Sequence, residues 1–418
     1  MDKAVRWWVL MLCALHAGLA LAAAAAQPLS AATVVRTEAQ WRALIASGQK
    51  TPLDALTPYA KQVFIDSLSG AWGERGLHSL PTGPLVRELN REELRAVLAF
   101  LDSSAYFAML ERRLVGPPLR MPAPSAAVAR DLRRLEQALF ATASADDASH
   151  ATTTASPAAP PTYLALFGAR MHGQHLRRRQ AGDLLLLFDA AASTNLVHPG
   201  SPAFADLLRV HGELVRRGVD TRRTLDDTVL QALVAARAFE QARTFAAARP
   251  GLAAQAIPAI VDATGPAFSG RSVFDYDQAS HTLTRKAFTP AGEVELIMVV
   301  NAGCQPSRRA LDTVRNDPAL RARLQQANLT IIVPPGAAIP FPFVADWNAA
   351  NPATPIRIPF NLREWAGVDT GAVPMFYLMK DGRVAGRVTG WPPEGNRAAL
   401  LEMLDGVPTA MRAAAPRG

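Results

Sequence analysis

The chain has 418 residues, 49% of them hydrophobic and 19% charged, enough apolar sequence for two or three domains with their own cores and too much for a disordered chain. Its formal charge is +8, which suits acidic surfaces, but the arginines are scattered rather than gathered into an aromatic-studded stripe, so the charge does not point to nucleic acid.

At the N-terminus, Asp2, Lys3 and Arg6 precede an apolar stretch from Trp7 to about Leu21, and Ala22 to Ala26 supply the small residues a signal peptidase needs. This pattern predicts a signal peptide over residues 1–26 and a periplasmic or secreted protein. The rival is an uncleaved N-terminal anchor, since a spanning helix needs about 20 apolar residues. The alanine-rich end with no positive cluster behind it favours cleavage, and no later segment is apolar enough to span. Loss of the leader takes away two positive charges and one negative, leaving a formal +7. It also takes away Cys13, so the mature chain keeps Cys304 alone and cannot form an internal disulfide. A lone thiol in an oxidising compartment is either buried and inert or available to another molecule.

From Val34 to about Leu139 the pattern is helical: Glu92 to Leu101 places apolar residues at helical spacing, and Asn90 followed by Glu93 marks a helix start. Pro117, Pro118, Pro122 and Pro124 interrupt it. Residues 143–162, rich in Ala, Ser, Thr, Asp and Pro, lack apolar periodicity and read as a flexible loop. Helical pattern resumes at Tyr163 and runs through Leu184–Phe188 and Asp206–Val210 to Leu230–Val234, giving an all-α region over residues 34–250. Within it Leu233 to Pro250 resembles one tetratricopeptide hairpin, with Phe239, Ala242, Phe245 and Pro250 at the matching places. No second copy follows at the period of about 34 residues, and an ordinary amphipathic helix pair fits equally well. His172 and His175 stand three apart without further metal ligands near them, and Arg177–Arg179 read as a solvated face.

After Pro258 the texture changes. Ser272–Tyr276 and His281–Arg285 predict a hairpin around Asp277–Ser280. Glu293 to Val300 is a short, nearly continuous β-rich apolar run of the kind buried in a central strand. It leads directly into Asn301-Ala302-Gly303-Cys304-Gln305-Pro306-Ser307, where Pro306 suits the first turn of a helix. A strand at Leu329–Val333 follows, then Gly371–Met379, an Asp381-Gly382 turn, a strand at Arg383–Thr389 and a closing helix at about Glu394–Leu404.

Over about Arg271 to Val407 this order resembles the thioredoxin-like superfamily, and more loosely its exported branch. The residues that carry the resemblance are Cys304 at a strand-to-helix turn, Pro306 and Ser307 completing C-x-x-S in place of C-x-x-C, and Val373-Pro374 before the hairpin. The resemblance implies an α/β thioredoxin-like domain over residues 271–407, with Pro374 in cis and facing the cysteine. The 70-residue separation of Cys304 and Pro374 exceeds that of a minimal thioredoxin, so Pro334–Pro359 reads as an insertion. Residues 408–418 are expected to form a disordered tail.

A thiol at a helix N-terminus meets unpaired N–H groups and the positive end of the dipole, which favour thiolate, and Arg308 and Arg309 would add to this. A cis proline would hold the Val373 backbone for pairing with an extended peptide. Cys304, Ser307 and Pro374 are thus the candidate catalytic residues, with Val373 and Trp391 as candidate substrate contacts. Two of these carry a second meaning: the Ser307 hydroxyl suits a backbone N–H at the helix start, and Trp391 suits a cover over one end of the core.

With serine at position 307, a mixed disulfide at Cys304 has no neighbouring thiol to resolve it, and net exchange needs an external thiol such as glutathione. Gly303 replaces the tryptophan that family members often carry, Ala372-Val373-Pro374 departs from the T-V-P of glutaredoxins, and Asn301 and Ile297 break the peroxidatic pattern. Two readings stay open: a monothiol exchange protein acting on a cysteine-containing exported partner, and a non-catalytic adaptor or chaperone-like binder of extended peptides. Neither needs a bound metal or cofactor.

Overall fold

A computed structural model describes residues 34–68, 71–73, 76–77, 79–148, 161–252, 257–368 and 373–406. The expected signal peptide at 1–26, residues 149–160 of the expected loop and the expected tail at 408–418 lie outside the described residues. Among the described residues no helix is long and apolar enough to cross a membrane. The chain forms two compact units, Met1–Arg112 and Arg113–Gly418. This division falls elsewhere than the expected helical-to-α/β boundary between residues 250 and 271.

The first unit holds α1 (Glu38–Ser47), α2 (Pro58–Leu68), the short paired strands β1 (Trp72–Gly73) and β2 (Gly76–Leu77), α3 (Thr82–Glu88), α4 (Arg91–Phe100) and α5 (Phe107–Glu111). The small antiparallel pair corrects the all-α expectation for residues 34–250. The expected start of α4 is present in full: the Asn90 side chain accepts from the Glu92 and Glu93 amides, and Glu93 accepts from the Asn90 amide at 2.8 Å. This reciprocal cap satisfies donors that a helix end leaves open. Leu94, Val97 and Leu98 of α4 are buried, as are Leu53, Phe64 and Leu85 of the same unit, each such side chain contributing about 1.5–3 kcal/mol.

The second unit opens with α6 (Ala126–Ala148), α7 (Pro161–Phe167), α8 (Gly173–Arg177), α9 (Ala181–Val197), α10 (Ala203–Arg216), α11 (Leu225–Ala235) and α12 (Phe239–Ala247). Helix α6 runs through residues 143–148, expected to be loop, because its alanines sustain helix without an apolar stripe. The remainder of the unit alternates strand and helix: β3 (Ala259–Asp262), β4 (Ser272–Asp277), β5 (Thr282–Ala287), β6 (Val294–Val299), α13 (Gln305–Asn316), α14 (Pro318–Gln326), β7 (Thr330–Ile332), α15 (Phe341–Ala350), β8 (Ile356–Pro359), β9 (Met375–Lys380), β10 (Arg383–Thr389) and α16 (Arg397–Asp405).

The strands join in one mixed sheet of eight, in the order β10-β9-β6-β7-β8-β4-β5-β3. Strands β6, β7 and β8 run parallel, β9 is antiparallel to β6, and β10 is antiparallel to β9. The succession β6–α13–β7, then the β9–β10 hairpin and α16, is the order expected of a thioredoxin-like fold. The stretch Pro334–Pro359 does more than interrupt it: α15 carries the chain back to β8, which adds to the sheet beside β7. On one face Ile297 and Val299 of β6 pack with Val273, Ile332, Trp365, Met375 and Tyr377. The alternation of a strand sends Leu296 and Met298, also buried, to the opposite face.

Candidate functional site

Strand β6 delivers the chain to the site at its C-terminal end, where the Val300 amide still donates to the Ile332 carbonyl of β7. The next residues leave the sheet through a turn built by Asn301. Its side-chain oxygen accepts from the Gly303 amide at 3.0 Å, and its carbonyl accepts from the Cys304 amide at 3.1 Å. Cys304 then stands as the N-cap of α13 in extended conformation, and Pro306 occupies the first turn, where its missing N–H costs nothing. Cys304 is half-buried and is the only free cysteine among the described residues.

Across from it lies the loop entering β9. The Val373–Pro374 peptide bond is cis, as the resemblance implied. The Cys304 thiol donates to the Val373 carbonyl, with Sγ 3.2 Å from the oxygen. Three of the expected residues, Cys304, Val373 and Pro374, are thus brought together although 69 positions separate Cys304 from Val373. The Pro374 carbonyl accepts from the Gly390 amide at 2.8 Å, tying this loop to the end of β10.

Ser307 is fully buried, and its hydroxyl accepts from the Asn301 amide at 3.2 Å. It therefore fastens the turn before the cysteine and makes no hydrogen bond to Cys304 among the described residues. Trp391 is only 3% exposed and packs on Phe376 with ring centroids 5.6 Å apart. The expectation of a substrate contact is corrected here: a side chain this buried covers the core. Burial wins because the indole stacks against a strand residue whose own exposure is nil.

The two arginines after Ser307 also have work of their own. Arg308 donates from Nε to the Ala302 carbonyl at 2.9 Å, bracing the outside of the turn. Arg309 donates from Nη2 to the Trp391 carbonyl at 2.9 Å, so α13 and the segment after β10 are locked together. The sequence reading missed Asn301 as the turn builder. Its signal was present, an Asn two residues before a Gly at a strand end, which is the pattern of an Asx turn.

Among the described residues no three His, Cys, Asp or Glu side chains converge to hold a metal ion. His172 caps α8 through its backbone and, like His175, is exposed.

No protein-family model matches the chain and no curated protein matches it. Among solved structures, a thioredoxin-like protein from Bacteroides caccae aligns at 14% identity over 69% of this chain and 99% of its own, with a TM-score of 0.22. The C-terminal domain of an uncharacterized protein from Bacteroides fragilis aligns at 14% identity over 34% of this chain and 98% of its own, again with a TM-score of 0.22. At that score neither likeness bears on the fold or the site, and the thioredoxin-like description rests on the strand order and helix placement given above.

Proposed function

We propose that the protein is an exported, monothiol thiol–disulfide exchange protein acting on a cysteine-containing partner through Cys304. The observation that supports this most is the free, half-buried Cys304 thiol at the N-cap of α13, beside the Val373–Pro374 loop. In this scheme the Cys304 thiolate attacks one sulfur of a partner disulfide. A Cys304–partner S–S bond forms as the partner's own S–S bond breaks, and the electron pair leaves on the partner's second sulfur, which takes a proton from solvent. An external thiolate such as that of glutathione then attacks the partner sulfur of the mixed disulfide, Cys304 departs as thiolate, and the oxidation leaves as a glutathione–partner disulfide. The Val373–Pro374 loop positions the partner's backbone. The helical segments, among them the tetratricopeptide-like pair within Leu233–Pro250, select the partner, and the signal peptide at 1–26 directs the chain to the periplasm or beyond.

The second reading is a non-catalytic adaptor or chaperone-like binder. It is favoured by the engagement of the thiol with the Val373 carbonyl and by the buried serine at position 307. The two differ in one measurement, the alkylation of Cys304 by iodoacetamide in the folded protein across pH, with Cys304→Ser as blank. Exchange chemistry requires reaction in the native state and accumulation of a partner-linked species in Cys304-dependent trapping. Reaction only after denaturation would overturn it in favour of the adaptor.

A further inference from the structure

The parallel strands β6, β7 and β8 have two ends, and Cys304 uses only the C-terminal one. At the opposite end, before the first residues of these strands, lies a cleft of about 230 Å³ lined by Phe288, Thr289, Asn328, Thr330, Thr354 and Arg357 among others. Arg357 sits in β8, and its guanidinium carbon lies 5.9 Å from the centre of the Phe288 ring, which places the charge at the cleft wall. Among the described residues it forms no ion pair and no side-chain hydrogen bond. Asp275 of β4, which the antiparallel register carries toward Arg357, is held by Lys286 at 2.8 Å.

The rest of the lining has one chemical character. The hydroxyls of Thr289, Thr330 and Thr354 and the amide of Gln325 make no hydrogen bond to the described residues, and no carboxylate lines the cleft. A guanidinium without a partner, beside donors of this kind and an aromatic face, matches the needs of a planar or tetrahedral oxyanion. The guanidinium offers two parallel N–H groups, and the hydroxyls complete the shell. The volume lies below the ordinary range of about 300–1,000 Å³ for ligand pockets, which suits a compact ligand and not a nucleotide.

We infer that this cleft binds a small oxyanion-bearing molecule, a phosphate or carboxylate, through Arg357 and the threonine hydroxyls. It is independent of the thiol chemistry proposed for the other end of the sheet.

The test is calorimetric titration of the purified full chain with inorganic phosphate and, separately, with succinate at constant ionic strength, which distinguishes the two sources of the anion. Saturable binding of at least one is expected, weakened roughly tenfold or more by Arg357→Gln, the scale of a charge-assisted bidentate contact. Thr354→Val, in the loop before β8, removes one donor while leaving Arg357 in place, and should weaken binding severalfold. Arg383→Gln, at an exposed arginine on β10, serves as the charge control and should leave binding unchanged. The inference is overturned by the absence of saturable binding for both probes. It is overturned equally if Arg383→Gln weakens binding as much as Arg357→Gln, which would mark a response to net charge alone.

Discussion

Arg237 is the residue whose loss should most clearly separate the helical layer from the sheet. It occupies the turn between α11 and α12 with a left-handed φ of 59°. From there its guanidinium donates to the carbonyls of Phe360 at 2.7 Å, Ala337 at 2.9 Å and Pro359 at 3.0 Å, and to that of Val234 in α11 at 2.9 Å. Beside it Phe239 of α12 meets Phe274 of β4 edge-on with centroids 5.7 Å apart. Three charged-donor hydrogen bonds thus run from this turn to Ala337 before α15, to Pro359 at the end of β8 and to Phe360 just after it. At about 1.5–3 kcal/mol each, reduced because they share one group and water can replace some of them, their joint loss should cost about 3 kcal/mol. Arg237→Met keeps the stem and the left-handed strain and removes the donors, so it should show that full loss in urea unfolding followed by tryptophan fluorescence. Arg237→Gly removes the same donors but relieves about 1 kcal/mol of left-handed backbone cost, and should be the less damaged of the two. A loss below about 1 kcal/mol in the methionine variant would refute the clamp, since that result means the carbonyls find equal partners in water.

Ser307→Ala should lower stability by about 1 kcal/mol by leaving the Asn301 amide without its acceptor, while the alkylation rate of Cys304 stays within about threefold of wild type. A much larger fall in rate at unchanged fold would return the hydroxyl to the chemistry. Asp226 is buried against His211, with Oδ1 2.7 Å from Nε2, and against Arg249 at 3.1 Å. Burial pushes its carboxyl up, but hydrogen bonds from His211 and Thr221 and the charges of His211 and Arg249 outweigh this and hold it below the usual value. A carboxyl lowered in the folded state stabilises the protein above its unfolded value of about 3.9, and that stability is lost as pH falls through the lower folded value. Asp226→Asn should therefore cost about 2–3 kcal/mol near neutrality, and its stability gap to wild type should narrow below about pH 4 in acid titrations read by circular dichroism.

How far the sequence could be read depended on whether local pattern and tertiary role agreed. Strand β6 is buried along its whole length, so its run is apolar but for Glu295 and easily read. The cap at Asn90 and the helix start at Cys304 and Pro306 are local events, settled by residues within one turn of each other. Strand β8 is the opposite case. Its four residues, Ile356 to Pro359, follow a helix with a proline in its first turn and carry an arginine at their centre, and only pairing with β7 and β4 makes them a strand. The same holds for Trp391, where composition allowed either a core cover or a binding aromatic and the stacking on Phe376 decided it. The polar turn before Cys304 sits between these cases, since Asn301 and Ser307 are visible in the sequence but their hydrogen bond joins positions six apart.

The two ends of the parallel strands raise the question of whether an anion at the Arg357 cleft alters the reactivity of Cys304. Strand β6 has six residues, so at about 3.3 Å per residue the ends are roughly 20 Å apart. A unit charge acting over that distance through a largely aqueous path contributes about 0.2 kcal/mol, before salt screens it further. That is a rate factor of about 1.4, too small to regulate. Any larger effect must travel through the sheet as a change of conformation, and a strand hydrogen-bonded on both sides and buried along its length is poorly placed to shift. The expected result is an alkylation rate of Cys304 that stays within about twofold between phosphate-free and phosphate-saturated protein at equal ionic strength. A larger change that disappears in Arg357→Gln would show that β6 has two arrangements and that the cleft selects between them.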